Sequence, residues 1–227
     1  MFGDTSHDPV DTRSGDRVRV LTRDRVGEAA DVLAAALADD PGFRHLFPRC
    51  GRRERELRAL YRMTLADTLR HGHALVTTQG DTVTGVAALY PPGAYPMTPR
   101  RWWRLAPQLA ALAARTRTHA RGLVRFGDLT SRGVPSDAWY VEALGVRPDK
   151  QRAGRGKALM RQVFSLVDAA GGPGYLETTK PANVDYYEAL GYDPVGEPVA
   201  LAADGPWIFR MERAAVRREP ADLAAAS

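Results

Sequence analysis

The sequence predicts an α/β fold, more fully α+β, in which strands alternate with helices along 227 residues. Three observations carry it. The run Trp139 to Val146 is apolar, aromatic and β-branched, the composition of a buried strand, and it leads through a glycine turn into a helix. Two extended runs, His73 to Thr78 and Thr82 to Tyr90, flank Gln79-Gly80-Asp81 and read as a hairpin. Late in the chain, Gly174 to Thr178 reads as a short strand, Ala182 to Leu190 as a short helix, and Gly191-Tyr192 as the start of a closing strand. The length fits one domain with a substantial core, over residues 16–213.

The elements follow in order. Residues 1–15 mix Gly, Asp, Ser, Thr and Pro and read as a flexible tail. Arg17 to Leu21 alternates polar and apolar, a half-buried strand. Thr22 is a candidate N-cap, and Val26, Ala30, Leu33 and Leu37 follow at helical spacing until Asp39-Asp40-Pro41-Gly42 ends the helix. Leu57, Tyr61, Leu65 and Leu69 form the buried stripe of a second helix, while Arg52, Arg53, Glu54, Arg55 and Glu56 read as its solvated face.

Residues 91–137 depart from this alternation as a helical insertion before the central strand. Thr98 and Pro99 suit an N-cap and first helical residue, Pro107 is expected to break or kink that helix, and a further helix is placed at about Thr118 to Leu129. Arg100, Arg101, Arg104, Arg115, Arg117, Arg121, Arg125 and Arg132 concentrate positive charge here. Either the insertion is a packed cover whose arginines face water, or it walls a binding site in which some of them meet acidic groups. Pro206 to Met211 is the expected last strand, and 214–227 a tail.

After the central strand, Gln151-Arg152-Ala153-Gly154-Arg155-Gly156-Lys157-Ala158 carries two glycines one residue apart, and Leu159, Val163, Leu166 and Ala170 continue on one helical face. The first-turn amides of such a helix lack intrahelical partners and the helix dipole adds positive potential. The turn can therefore seat a pyrophosphate where glycine lets the backbone come close. Gln151-x-x-Gly154-x-Gly156 after Leu144-Gly145-Val146 resembles the acyl-CoA pyrophosphate signature of the GNAT N-acetyltransferase superfamily. Tyr175 to Thr178 with Asn183 to Tyr192 resembles that family's later strand, helix and strand. The arrangement is most similar to the puromycin N-acetyltransferase branch, with Arg19 to Pro48 resembling its opening strand and helix; the likeness covers roughly residues 17–213.

The resemblance implies a central mixed, mainly antiparallel sheet flanked by helices, acetyl-CoA as donor and CoA as product. It implies that the backbone at Leu144 and Val146 meets the pantetheine arm and that amides from Gln151 to Ala158 (Gln151, Arg152, Ala153, Gly154, Arg155, Gly156, Lys157, Ala158) hold the pyrophosphate. Arg155 departs from the apolar residue often found there; it faces solvent, reaches the 3′-phosphate or marks a shifted loop. By the same resemblance Asn183 contacts pantetheine and Tyr187 protonates the CoA sulfur, with adjacent Tyr186 matching a packing position. The implied activity is acetylation of a small-molecule amine, with an aminonucleoside or other antibiotic among the candidates. The alternatives are a protein lysine or N-terminus as acceptor, or a non-catalytic acyl-CoA-binding regulator.

Glu142 is a carboxylate within an otherwise apolar run, and burying an unpaired charge is costly, so it asks for a partner or a role. The resemblance implies a general base on this strand, with a structural or recognition carboxylate as the alternative; Glu177, matched in the closer branch, is the next candidate, with a structural hydrogen-bonding carboxylate as its alternative. Asp40, Phe43 and His45 follow the first helix, where the superfamily shapes its acceptor pocket; loop caps and core contacts are the plainer alternative. His71 and His73 lack partners at metal-ligand spacing, so no metal is expected. Cys50, the single cysteine, has no local motif pairing it with a base.

The formal charge is +5, yet acids and bases are interspersed over most of the chain and no base-reading motif is present, so a nucleic-acid partner is not favoured. No run reaches the roughly 18 apolar residues of a membrane span, and the acidic first sixteen residues suit neither a secretory signal nor a transit peptide. A cytoplasmic protein with no membrane partner is expected. Oligomeric state stays open, with a homodimer among the options.

Overall fold

The computed structural model describes residues 17–116 and 120–216. The expected tail 1–15 and nearly all of 214–227 lie outside them, as do the side chains of residues 115–121, which include Arg115, Arg117 and Arg121. The chain runs β1 (Arg17–Val20), α1 (Val26–Leu37), α2 (Pro41–Leu46), α3 (Cys50–His71), β2 (His73–Gln79), β3 (Thr82–Tyr90), α4 (Pro99–Thr116), α5 (Ala120–Gly133) and β4 (Trp139–Val146). It continues through α6 (Arg155–Ala170), β5 (Gly174–Thr178), α7 (Ala182–Glu188), β6 (Asp193–Pro194), β7 (Val199–Ala200) and β8 (Trp207–Arg213).

The eight strands form one sheet in the order β1-β2-β3-β4-β5-β8-β6, with β7 pairing to β8. Every pairing is antiparallel except β4 with β5. This is the mixed, mainly antiparallel sheet that the sequence leads one to expect, and helices cover both faces. On one, Leu33 of α1 and Leu57 and Leu65 of α3 pack with Val86 and Ala143. On the other, Leu159, Met160 and Val163 of α6 pack with Val141 and Leu176. Each fully buried aliphatic side chain contributes about 1.5–3 kcal/mol relative to exposure, so apolar periodicity is enough to orient these helices.

Two irregularities in β4 position the site. The parallel ladder to β5 pairs Trp139 with Gly174, Tyr140 with Tyr175 and Val141 with Leu176, then stops, although β4 runs on to Val146 and β5 to Thr178. Past Val141 the strands separate, and the β5-facing backbone of β4 has no ladder partner. On its other edge β4 bulges: Leu89 pairs with Val141 and Ala88 with Ala143, leaving Glu142 as the extra residue. The bulge changes the facing of the strand, so Val141 packs towards α6 and Ala143 towards α1.

Gly145 lets α1 approach β4 closely. A Cβ there would lie 2.9 Å from Leu33 Cδ2 and 3.0 Å from the Ala36 Cβ. Gly145→Ala is therefore expected to cost about 1–3 kcal/mol of stability by overpacking. Equilibrium urea unfolding checks this; an unchanged midpoint would show that α1 moves aside freely.

Three expectations need correction. Arg53 and Glu56 are buried rather than on a solvated face. Arg53 donates from Nε to the Phe47 carbonyl at 2.8 Å and from Nη1 to the Ala38 carbonyl at 2.9 Å, bonding carbonyls at the ends of α2 and α1 that the helices leave open. Pro107 does not end α4, which runs unbroken through it. The carbonyl whose bond it removes belongs to Trp103, itself 79% exposed, where water can replace the lost donor. Arg155 is buried rather than solvent-facing, and its Nη1 donates to the Lys150 carbonyl at 2.9 Å.

Candidate active site

The place where β4 and β5 separate opens into a cavity of about 690 Å³. Glu142 and Glu177 both line it, each one residue beyond the last paired positions, Val141 and Leu176. One oxygen of each carboxylate is buried with no hydrogen-bond partner. The other Glu177 oxygen accepts from the Tyr175 hydroxyl at 3.1 Å and lies 3.6 Å from Arg210 Nε.

Burial pushes the Glu142 carboxyl up to about 7; a hydrogen bond with Tyr140 opposes the shift, the Asp67 charge adds to it and Arg101 offsets it. Burial likewise pushes Glu177 up to about 8, with Tyr175 and Arg210 lowering it and the Glu142 charge raising it. Near neutrality Glu177 is the more protonated of the two, and the titration steps belong to the pair. The phenols of Tyr61, Tyr90, Tyr95 and Tyr140 are raised by burial first and then by the Glu142 charge. They remain protonated donors at neutral pH.

Asn183 and Tyr187 of α7 also line the cavity. Four residues apart, they share a helix face. Asn183 is anchored by its Nδ2 donating to Thr178 Oγ1 at 3.2 Å. Tyr187 is buried, edge-on to Tyr186 and Tyr192 at 5.2 and 5.9 Å between ring centroids, and burial raises its phenol well above the usual range. Tyr186 does not line the cavity; a Cβ on Gly156 would lie 3.0 Å from its hydroxyl, which places that hydroxyl at the glycine turn.

At the far end of β4, Gly154 precedes α6 with φ of 79°, a left-handed conformation that favours glycine, and it supplies no capping side chain. A Cβ there would meet open space, so the turn faces outward. Gln151 folds back, its Nε2 donating to the Val146 carbonyl at 3.0 Å. The uncapped start of a 16-residue helix next to an unpaired strand edge fits a pyrophosphate followed by an extended, amide-bearing arm.

A family profile described as Acetyltransferase (GNAT) family matches residues 40–192, about two thirds of the chain. The chain belongs to the GNAT acetyltransferase family. Among solved structures, one described as histone acetyltransferase HPA2 and related acetyltransferase from Corynebacterium glutamicum is 22% identical with a TM-score of 0.65, covering 89% of this chain and 98% of that one. The ribosomal-protein-S18-alanine N-acetyltransferase from Escherichia coli is 15% identical with a TM-score of 0.54, covering 90% and 97%. The PaiA N-acetyltransferase from Thermoplasma acidophilum, in complex with coenzyme A, is 11% identical with a TM-score of 0.54, covering 88% and 99%. At these identities the likeness is one of fold.

Within this GNAT acetyltransferase, Asp40 and Phe43 line the cavity and His45 does not; His45 is exposed on α2. Asp40 caps α2, one oxygen accepting from the Gly42 and Phe43 amides at 2.9 and 3.3 Å and from the Thr179 hydroxyl. Burial raises its carboxyl and those three hydrogen bonds and Lys180 oppose the rise. Leu144 lines the cavity, while Val146 and Gln151 to Ala158 lie outside it at the glycine turn.

The insertion supplies the cavity's outer wall through Trp102, Leu105, Leu109, Leu112, Leu123 and Phe126, and none of its described arginines lines it. Arg101 instead pairs with buried Asp67, which also accepts from the Tyr90 hydroxyl at 2.8 Å. Arg125 Nε donates to the Leu201 carbonyl at 2.7 Å, and Arg132 pairs with Asp128 at 2.8 Å. Three participants went unnoticed in sequence. Tyr140 gave a signal, as an aromatic two residues before Glu142 on the same strand. Thr179 and Arg210 gave none, because their partners Asp40 and Glu177 are distant in the chain.

Proposed function

We propose that this acetyltransferase moves the acetyl group of acetyl-CoA directly to the amine of a small molecule, with Glu142 as base and Tyr187 as the donor to sulfur. The observation carrying it is that two partly unsatisfied carboxylates and the Asn183–Tyr187 face meet in one cavity where the β4 edge becomes unpaired. Acetyl-CoA supplies the thioester; Leu144 and Val146 offer backbone groups to its arm, and the glycine turn offers amides up to Lys157 to its pyrophosphate, the Ala158 amide being engaged by the Gly154 carbonyl at 2.9 Å. The amine nitrogen forms a bond to the carbonyl carbon, the C–S bond breaks, the amine proton goes to Glu142, and the sulfur takes a proton from Tyr187. Solvent returns the proton from Glu142 to Tyr187, which balances the cycle.

No covalent enzyme intermediate is needed. Orienting both reactants can supply about 7–11 kcal/mol of the barrier, and each proton-transfer group about 10²–10⁴ in rate. The likeness of residues 17–213 to the puromycin-acetylating branch supports an aminonucleoside or similar antibiotic amine as acceptor. Calorimetric titration of acetyl-CoA, followed by thiol release with an amine panel that includes puromycin, tests the reading. Binding near one equivalent with amine-dependent thiol release is expected; binding without release by any amine would favour a regulator.

A further inference from the structure

We infer that the acceptor is a lipophilic primary monoamine whose ammonium is held between Glu142 and Glu177 while its uncharged body lies against the α4–α5 wall. The inference rests on the proposed amine acetylation and names the class of amine. Its basis is an asymmetry in the cavity. The wall from α4 and α5 is mostly leucine, tryptophan, valine and phenylalanine, with Asp128, Thr130 and Ser131 as its polar members, and Phe43 and Leu60 continue its apolar part. Among the described residues no lysine, arginine or histidine lines the cavity, and the acids that do are Asp40, Asp128, Glu142 and Glu177.

Two of those acids are already engaged. Asp40 is occupied by the α2 cap and Thr179, and Asp128 pairs with Arg132. That leaves Glu142 and Glu177, each with a buried oxygen lacking a partner, just past the last paired positions of β4 and β5. One cationic group can satisfy both oxygens. A second positive charge would have to sit against apolar side chains without a counter-ion, which is costly. A polyamine, an amino sugar and a lysine flanked by peptide bonds therefore fit poorly. A long acyl chain in the same space would strand two carboxylates against hydrocarbon, which assigns the space to the acceptor rather than to the donor.

Before attack the ammonium must lose a proton. That proton passes through Glu142 to solvent, leaving Glu142 ionised to take the second proton as the C–N bond forms, and Glu177 keeps the nitrogen in place. Glu177 is thus a positioning residue for the amine, and its loss is expected to weaken amine binding more than turnover.

The test uses the whole chain with n-butylamine, n-hexylamine and n-octylamine, spermidine and a lysine-containing peptide as acceptors, each amine also titrated calorimetrically without CoA. KM should fall about fourfold per added methylene as the chain fills the wall, and spermidine should have a kcat/KM at least about 100-fold below octylamine. Leu109→Lys, at a half-buried wall position, should raise the octylamine KM about tenfold or more with acetyl-CoA binding unchanged. Glu177→Gln should raise KM about tenfold with kcat within about threefold. A flat alkylamine series, a preference for spermidine or the peptide, or displacement of octylamine by octanoyl-CoA would overturn the inference while leaving amine acetylation standing. Failure of acetyl-CoA to bind would overturn the transferase reading, and octylamine calorimetry would still decide whether the cavity takes a lipophilic amine.

Discussion

Tyr187→Phe is expected to lower kcat by about 10²- to 10⁴-fold while leaving acetyl-CoA binding nearly unchanged. The substitution removes one hydroxyl and keeps the ring, so the edge-on contacts with Tyr186 and Tyr192 remain and the buried packing of α7 should hold. Burial keeps the phenol protonated throughout the physiological range, which makes it a donor rather than a base. In the proposed reaction it supplies a hydrogen bond and then a proton as charge develops on sulfur. Single-turnover thiol release checks the rate, and calorimetry checks binding. Turnover within about threefold of the parent protein would remove Tyr187 from the mechanism. Tyr186→Phe serves as the control, since its hydroxyl lies at the glycine turn, and little change in kcat is expected from it.

Glu142→Gln is expected to reduce kcat/KM by about 10²- to 10⁴-fold near pH 7.5 and to remove the acidic limb of the pH profile. The sign follows from the raised carboxyl. A base must be deprotonated to accept the amine proton, so activity falls as pH drops through about 7. In the parent protein the limb should have its midpoint near 7, not near the usual carboxylate value of about 4.3. Glu177 remains mostly protonated there, because burial holds its carboxyl up and ionised Glu142 disfavours a second charge. Without the Glu142 charge, the Glu177 carboxyl should titrate lower. A limb that survives Glu142→Gln but disappears in Glu177→Gln would exchange the two roles.

Much of the fold was legible because the signals are local. The period-two alternation of Arg17 to Leu21, the apolar run Trp139 to Val146 and the helical spacing Leu159, Val163, Leu166 each report a face that must be buried, whatever it is buried against. The glycine turn was legible for a similar reason, since its conformation is a property of a few consecutive residues. Local rules failed where tertiary contacts outweighed them. Arg53 reads as a surface charge until the open carbonyls of Ala38 and Phe47 are brought to it. Pro107 reads as a helix breaker until Trp103, which bears the orphaned carbonyl, is seen to be exposed.

The sequence by itself determined the strand and helix order, the glycine turn before α6, the Asn183–Tyr187 face and the anomaly of a carboxylate inside an apolar strand. The folded molecule alone shows where that carboxylate lies. A strand-register bulge and the early end of a parallel ladder bring Glu142 beside Glu177, and an insertion separated in sequence from both closes an apolar wall over them. Strand register and wall closure are set by side chains far apart along the chain. Periodicity records which face is buried but not which distant residue it meets, so the cavity exists only in the folded molecule.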